Sequence, residues 1–131
     1  TGVADRTPMM VLPDAIDFMK RVGADRALAE SQRLCKYLCD RLENIGLHRA
    51  GPTHPKLTST LAIFELDPEL AGSLRIRLWD EYRILCPVTR CAGRFYLRVS
   101  LAWYYTEAML DRLVDAMTIE IKRANPQRDV A

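Results

Sequence analysis

Arg98 is the residue of this chain best placed to recognise an anion. It lies in the run Phe95-Tyr96-Leu97-Arg98-Val99-Ser100, where apolar and polar side chains alternate with the two-residue period of a strand. On that period Phe95, Leu97 and Val99 share one face, and Tyr96, Arg98 and Ser100 share the other. A guanidinium is costly to bury without an anionic partner, and its planar fork matches a carboxylate through two parallel hydrogen bonds. Periodicity alone leaves two readings: a surface arginine, solvated or paired with an acid, or an anion-binding group. Arg90 and Arg94 flank the turn before this strand and would widen an anion-attracting mouth, with Ser100 at its rim. The same two residues, taken with Arg75, Arg77 and Arg83, also read as a solvated basic rim interrupted by acids.

The remaining reactive residue types form no recognisable catalytic set, and no catalytic residue is assigned. Cys35 and Cys39 stand one helical turn apart, and Cys86 and Cys91 bracket Pro87-Val88-Thr89-Arg90. Neither spacing is the two-residue knuckle of a zinc site, so packing or partly exposed thiols is the reading and no metal is expected. His48 and His54 lack a paired Cys or Asp at ligand spacing and read as loop residues. No serine sits in a nucleophile elbow and no Gly-rich phosphate loop is present. Trp79 and Trp103 read as core or interface residues.

At 131 residues and 49% hydrophobic, the chain can bury the core of one globular domain. Its 19 basic and 17 acidic residues leave a net charge of +2, which gives no electrostatic case for a nucleic-acid or membrane partner. No apolar run approaches the roughly 20 residues that span a bilayer, and no signal-peptide pattern opens the chain. Reduced thiols in the cytoplasm are the matching expectation for four cysteines without a secretory signal.

Several elements must position Arg98. Residues 1–12 show no period and read as an extended lead-in to a globular region over 13–125, followed by a loose tail at 126–131. Pro13 opens a short helix with Asp14 in its first turn. A longer helix follows from about Asp25 to Ile45, with an apolar stripe of Leu28, Cys35, Leu38, Leu42 and Ile45, and Gly46 as its stop. Ser59–Leu66 reads as a strand, and Asp67-Pro68 starts a helix whose Leu70, Leu74, Leu78 and Tyr82 recur every turn. Ile84–Val88 reads as an irregular edge strand because of Pro87. Ala92-Gly93 turns the chain into the strand ending at Ser100, and Thr106 caps a last helix carrying Leu110, Leu113, Val114, Met117 and Ile121. The expected class is α+β: a small, largely antiparallel three-stranded sheet with helices packed on one face.

Beyond these elements, Arg98, Ser100, Tyr104 and Thr106 fall where the class V aminotransferase family carries its R-x-S-x-x-x-Y-N-T element. The run Leu78-Trp79-Asp80-Glu81-Tyr82-Arg83-Ile84-Leu85-Cys86-Pro87-Val88 resembles that family's helix-to-strand passage. Leu12-Pro13-Asp14-Ala15-Ile16-Asp17-Phe18 resembles the helix opening after its large domain. The chain as a whole resembles the C-terminal small domain of these fold-type I, pyridoxal-phosphate-dependent enzymes. Its spacing is nearest to isopenicillin N epimerase-like and cysteine desulfurase-like members. The resemblance implies that Arg98 holds the α-carboxylate of an amino-acid substrate. It also implies a large cofactor-binding domain upstream, a Schiff-base lysine outside this chain, and a homodimer. Two positions depart from the pattern: Tyr105 stands where the family has asparagine, and Gly2-Val3-Ala4-Asp5 where it has Gly-Thr-Arg-Asp, whose threonine helps hold the cofactor phosphate. Lys56, in Thr53-His54-Pro55-Lys56, reads as a loop lysine without a cofactor role.

The alternative is a stand-alone ferredoxin-like module binding a small anion, because strand, helix, strand, strand, helix follow in order from Ser59. The pair of N-terminal helices distinguishes the two: a minimal ferredoxin-like module does not need them.

Overall fold

The computed structural model describes residues 7–54 and 57–126. Among the described residues, five helices and four strands follow in the order α1 (Thr7–Met10), α2 (Leu12–Val22), α3 (Ala24–Asn44), β1 (His48–Arg49), β2 (Leu61–Leu66), α4 (Pro68–Tyr82), β3 (Val88–Cys91), β4 (Arg94–Ser100) and α5 (Glu107–Ala124). The extended lead-in is corrected where it can be seen: Thr7–Met10 is already helical. Pro8 occupies the first turn of α1, where no N–H is required of it, and so is compatible with a helix start. Val3, Lys56 and the 127–131 tail lie outside the described residues.

Gly23 makes the corner between α2 and α3. Its φ of 88° is left-handed, its N–H closes α2 on Met19 O at 3.0 Å, and its carbonyl accepts from Ala27 to open α3. Along α3 the expected stripe is buried at Cys35, Leu38 and Leu42, joined by Leu34 and Cys39, whereas Leu28 is exposed. The thiol of Cys39 is held above its ordinary range by its hydrogen bond to Cys35 and by burial.

The sheet has four strands, not three, in the order β1-β2-β4-β3, and every pair is antiparallel. The extra strand arises because Leu47, buried behind Gly46, pins its N–H to Leu42 O at 3.1 Å. His48 and Arg49 are thereby laid against Glu65 and Phe64, so His48 is in an edge strand rather than a loop. Two residues are too few to show a period, which hid this strand from pattern reading. The N-terminal end of β2 is trimmed to Leu61, whose N–H turns to the Ser59 hydroxyl at 3.0 Å. The expected strand at Ile84–Val88 is displaced to Val88–Cys91. Residues 83–87 leave α4 through Arg83 (φ 57°), and Pro87, lacking an N–H, marks where the ladder stops. Ala92 (φ 48°) and Gly93 (φ 81°) then form the tight turn between β3 and β4, both left-handed as a two-residue hairpin demands.

Ala62, Phe64, Leu66 and Leu97 point from the sheet into a core completed by Leu34 and Leu38 of α3, Leu74 and Leu78 of α4, and Leu113 and Met117 of α5. The helices thus cover one face, as the class demands. Polar ties lock α3 to α5: Tyr37 OH donates to Asp111 at 2.9 Å and Arg33 pairs with Glu107 at 2.6 Å. Inside the α4–α5 contact lies a fully buried carboxylate, Glu120, which accepts from Arg77 Nε, from Tyr82 OH at 3.1 Å and from Arg123 at 2.9 Å. Arg77 therefore leaves the solvated rim to which sequence assigned it. Burial, reinforced by the Glu120 hydrogen bond, pushes the Tyr82 phenol above its ordinary range.

Thr106 caps α5 through its hydroxyl, which accepts from Met109 N at 3.4 Å. This bond is long, so Thr106→Ala is expected to cost about 0.5–1 kcal/mol, with Thr106→Ser near neutral, in a urea titration followed by circular dichroism.

Candidate functional site: an arginine-lined cavity beside β4

The peptide of Arg98 is fixed from the β3 side. Its N–H donates to Pro87 O at 3.1 Å, and the buried Cys86 thiol donates to its carbonyl at 3.3 Å. Burial pushes that thiol up to about 12, so it serves as a permanent donor rather than a nucleophile. Across β2 the partner of Arg98 is Ile63, and alternation sets both on the face away from the helices, with Leu61, Glu65, Tyr96 and Ser100. Arg98 is exposed, and among the described residues its guanidinium takes no hydrogen bond and no ion pair. The nearest acid in register, Glu65, lies opposite Tyr96 and is engaged by Arg94 at 3.3 Å.

The other rim candidates separate. Ser100, opposite Leu61, adjoins the same cavity as Arg98. Arg94 begins β4 at the hairpin, about 13 Å along the strand from Arg98 at the usual rise per residue. Arg90 pairs in register with Phe95, and its guanidinium sits 5.7 Å from that ring's centroid. The structure brings Arg98 and Ser100 together at one cavity and leaves Arg90 and Arg94 at the hairpin end.

That cavity, about 500 Å³, opens between β4, the irregular 83–87 segment and the start of α5. Arg83, Arg98 and Arg112 line it among apolar walls that include Leu85, Pro87 and Met109, and no aspartate, glutamate or lysine takes part. Arg112 donates to Tyr82 O at 3.2 Å, at the C-terminal end of α4, where a cation complements the exposed carbonyls. Arg83 lies over the Trp79 ring, 5.8 Å from its centroid. Trp79 and Trp103 are 49% and 39% exposed, so neither belongs to the core.

Tyr105 also lines the cavity, and its N–H closes a turn on Ala102 O at 3.0 Å. The backbone thus makes the turn before α5 without a side-chain amide, and the tyrosine ring serves as wall. Sequence reasoning did not single out Arg112 or Tyr105 for this cavity. The usable signal for Arg112 was its position three residues after Met109 on α5, one helical turn, so both face the same side.

No cofactor cradle is built from these residues. Of the described lysines, Lys20 pairs with Asp17 at 3.0 Å and Lys36 with Asp40 at 2.5 Å, both on exposed helix surface, and Lys122 is exposed on α5. None adjoins the cavity, so no Schiff base and no pyridinium-pairing acid is available there. All four cysteines are free thiols, with only Cys91 exposed. Among the described residues no cluster of His, Cys, Asp or Glu could hold a metal, and no helix is long and apolar enough to cross a membrane. A different surface is uncovered: α2 buries none of its residues, and Met9, Met10, Ile16 and Phe18 are each 46% or more exposed.

No family model matches the chain. In sequence it is 36% identical over 119 residues to isopenicillin N epimerase of Amycolatopsis lactamdurans, covering 88% of this chain and 30% of that protein. It is 31% identical over 121 residues to isopenicillin N epimerase of Streptomyces clavuligerus, again covering 88% and 30%. The chain therefore spans about a third of the length of these relatives. In fold it is similar to the apo structure of a cysteine desulfurase from Thermococcus onnurineus NA1, with TM-score 0.72, 16% identity and coverage of 82% of this chain and 29% of that one. It is also similar to 8-amino-7-oxononanoate synthase from Francisella tularensis, with TM-score 0.67, 22% identity and coverage of 87% and 33%.

Proposed function

We propose that this chain is the carboxy-terminal small domain of a fold-type I pyridoxal-phosphate enzyme, as its 36% identity to part of an isopenicillin N epimerase supports, and that it grips the α-carboxylate of an amino-acid substrate through Arg98. The observation that carries this reading is the state of Arg98. Its backbone N–H and carbonyl are both held from the β3 side by Pro87 and Cys86, while its guanidinium has no partner among the described residues, beside a cavity without a carboxylate. Such an arginine is uncommitted, so a substrate carboxylate gains paired charge-assisted hydrogen bonds without displacing an internal acid. Ser100, on the same strand face, stands at the rim. Gripping the carboxylate fixes the orientation of the α-carbon and so selects which of its bonds is broken. Pyridoxal phosphate, bound elsewhere in the enzyme, supplies the electron sink for that bond cleavage.

This chain alone is catalytically inactive in this reading, because it contributes a substrate end and no cofactor lysine. A large domain upstream, of class V aminotransferase type, completes the enzyme, and the intact protein is a cytoplasmic homodimer. The uncovered apolar side chains of α1 and α2 support a packed partner domain. Epimerisation, transamination and C–S cleavage are all compatible, since groups on the other domain discriminate among them.

The test is the mass and cofactor content of the native gene product. A product about three times this chain's 15.0 kDa, carrying about one pyridoxal phosphate per polypeptide, is expected from the 30% coverage of the relatives. A native product near 15.0 kDa without cofactor would overturn the reading and leave the small-anion-binding module.

A further inference from the structure

We infer that the outer face of α4 is a self-complementary docking surface, on which a second copy of this chain lays its own α4 antiparallel. The inference does not depend on the Arg98 reading. Leu70, Leu74 and Leu78 turn one side of α4 to the core, and an amphipathic helix would then be polar on the other. Instead Gly72, Ile76, Trp79 and Arg83 recur there at spacings of four, three and four, one stripe along the helix. All four are exposed, Ile76 at 64%. Ile76 and Trp79, with Arg75, Asp80 and Leu85, line a hollow of about 430 Å³.

Gly72 points to a backbone approaching from outside. Its φ is not left-handed, and a methyl group added there would meet nothing within 4 Å. No contact inside the chain therefore requires glycine, which is among the least favourable residues in a helix interior. A second helix laid across the stripe does require it, because the missing side chain leaves a groove for a large one.

The charges select the partner and its direction. Glu69, Arg75 and Asp80 take no hydrogen bond or ion pair among the described residues, and the Arg83 guanidinium lies over the Trp79 ring without a carboxylate. Glu69 and Arg75 are six positions apart and Arg75 and Asp80 five, so neither pair meets on one helix. Glu69 and Arg83 stand at opposite ends of the stripe, about 21 Å apart at the helical rise. An antiparallel copy related by a two-fold axis at Ile76 brings each Glu69 opposite the other's Arg83. The same register sets each Trp79 over the other's Gly72, the reciprocal pattern of an isologous contact. A parallel copy would instead oppose like charges at both ends. A face of about four turns buries less than the roughly 800 Å² per partner of a standard interface, so a Kd on the order of 10–100 µM is expected.

The experiment is sedimentation velocity of the full-length protein across a concentration series spanning that range. Wild type is expected to gain mass beyond its dilute species. Gly72→Leu is expected to weaken the association about tenfold or more, yet to raise the Tm in dilute solution, because leucine blocks the partner and favours the isolated helix. Glu69→Arg and Arg83→Glu are each expected to weaken it, and the double variant, which reverses the pair, to restore it. In a Cys91→Ser background, Ile76→Cys is expected to cross-link to its own counterpart under copper-catalysed air oxidation, and Glu69→Cys is not. Mass independent of concentration in wild type would overturn the inference. Association that survives Gly72→Leu would overturn its assignment to α4, as would a Tm lowered by that substitution, since the fold itself would then need the glycine. Efficient cross-linking at position 69, or a double variant as weak as its parents, would overturn the antiparallel register.

Discussion

Arg98→Ala in the full-length enzyme is expected to lower kcat/KM by about two to three orders of magnitude, the equivalent of roughly 3–4 kcal/mol. The size follows from what is removed. A guanidinium and a carboxylate make two parallel charge-assisted hydrogen bonds, and in a site closed over by a second domain these are far less screened than at a surface. Truncation leaves the substrate carboxylate without a partner, and no other residue on the exposed face of β4 replaces it. Arg94 is committed to Glu65, and Arg90 lies across from Phe95 at the hairpin. Arg98→Lys keeps the charge but loses the fork, so it is expected to recover only part of the loss. The effect should appear chiefly as a raised KM if the carboxylate is held equally before and during bond cleavage. It should extend to kcat if the grip also orients the α-carbon. The backbone hydrogen bonds of Arg98 to Pro87 and Cys86 do not involve its side chain, so stability should change by less than about 1 kcal/mol.

The largest stability effect is expected at Glu120. Its carboxylate is fully buried and takes hydrogen bonds from Arg77, Tyr82 and Arg123. Glu120→Ala strands a largely buried guanidinium and a phenol and opens a cavity between α4 and α5. A cost of about 3 kcal/mol is expected, and a fall in Tm of about 10 °C. The measurement is urea denaturation beside a thermal scan. The pair is not expected to be worth that much in itself, because desolvation offsets most of the attraction of a buried ion pair. The double variant Arg77→Met with Glu120→Leu should therefore recover most of the stability lost by Glu120→Ala. A double variant as unstable as the single one would show instead that Tyr82 and Arg123 depend on the carboxylate.

How far the fold was legible depended on the length of each pattern. The four-residue recurrence of Leu70, Leu74 and Leu78 and the alternation from Phe95 to Ser100 have only one way to bury their apolar faces, and both elements formed as read. Thr106 and Gly46 marked helix ends through the hydroxyl acceptor and the positive φ their positions require. The fourth strand was not legible, because a two-residue β1 is set by the anchoring of Leu47 and the free edge of β2, both tertiary facts. Arg77 and Glu120 were half legible. A glutamate between Met117 and Ile121 interrupts an apolar stripe, which signals a buried acid needing a cation, yet no local pattern names a partner 43 positions away. At the site, residue type and strand parity brought out Arg98 and Ser100. Arg83 and Arg112 join the cavity only once α4, the 83–87 segment and α5 are folded together.

The central claim, that Arg98 holds the substrate's α-carboxylate, is tested most directly by removing the two partners separately and together. Dissociation constants of an amino acid and of the corresponding amine lacking the α-carboxylate would be measured for the wild-type enzyme and for Arg98→Ala. The wild-type enzyme is predicted to prefer the amino acid by about two orders of magnitude, and Arg98→Ala to bind the two almost equally, because the lost pair accounts for the difference. If Arg98→Ala retained the wild-type preference for the carboxylate, another residue would hold it and the account would be wrong.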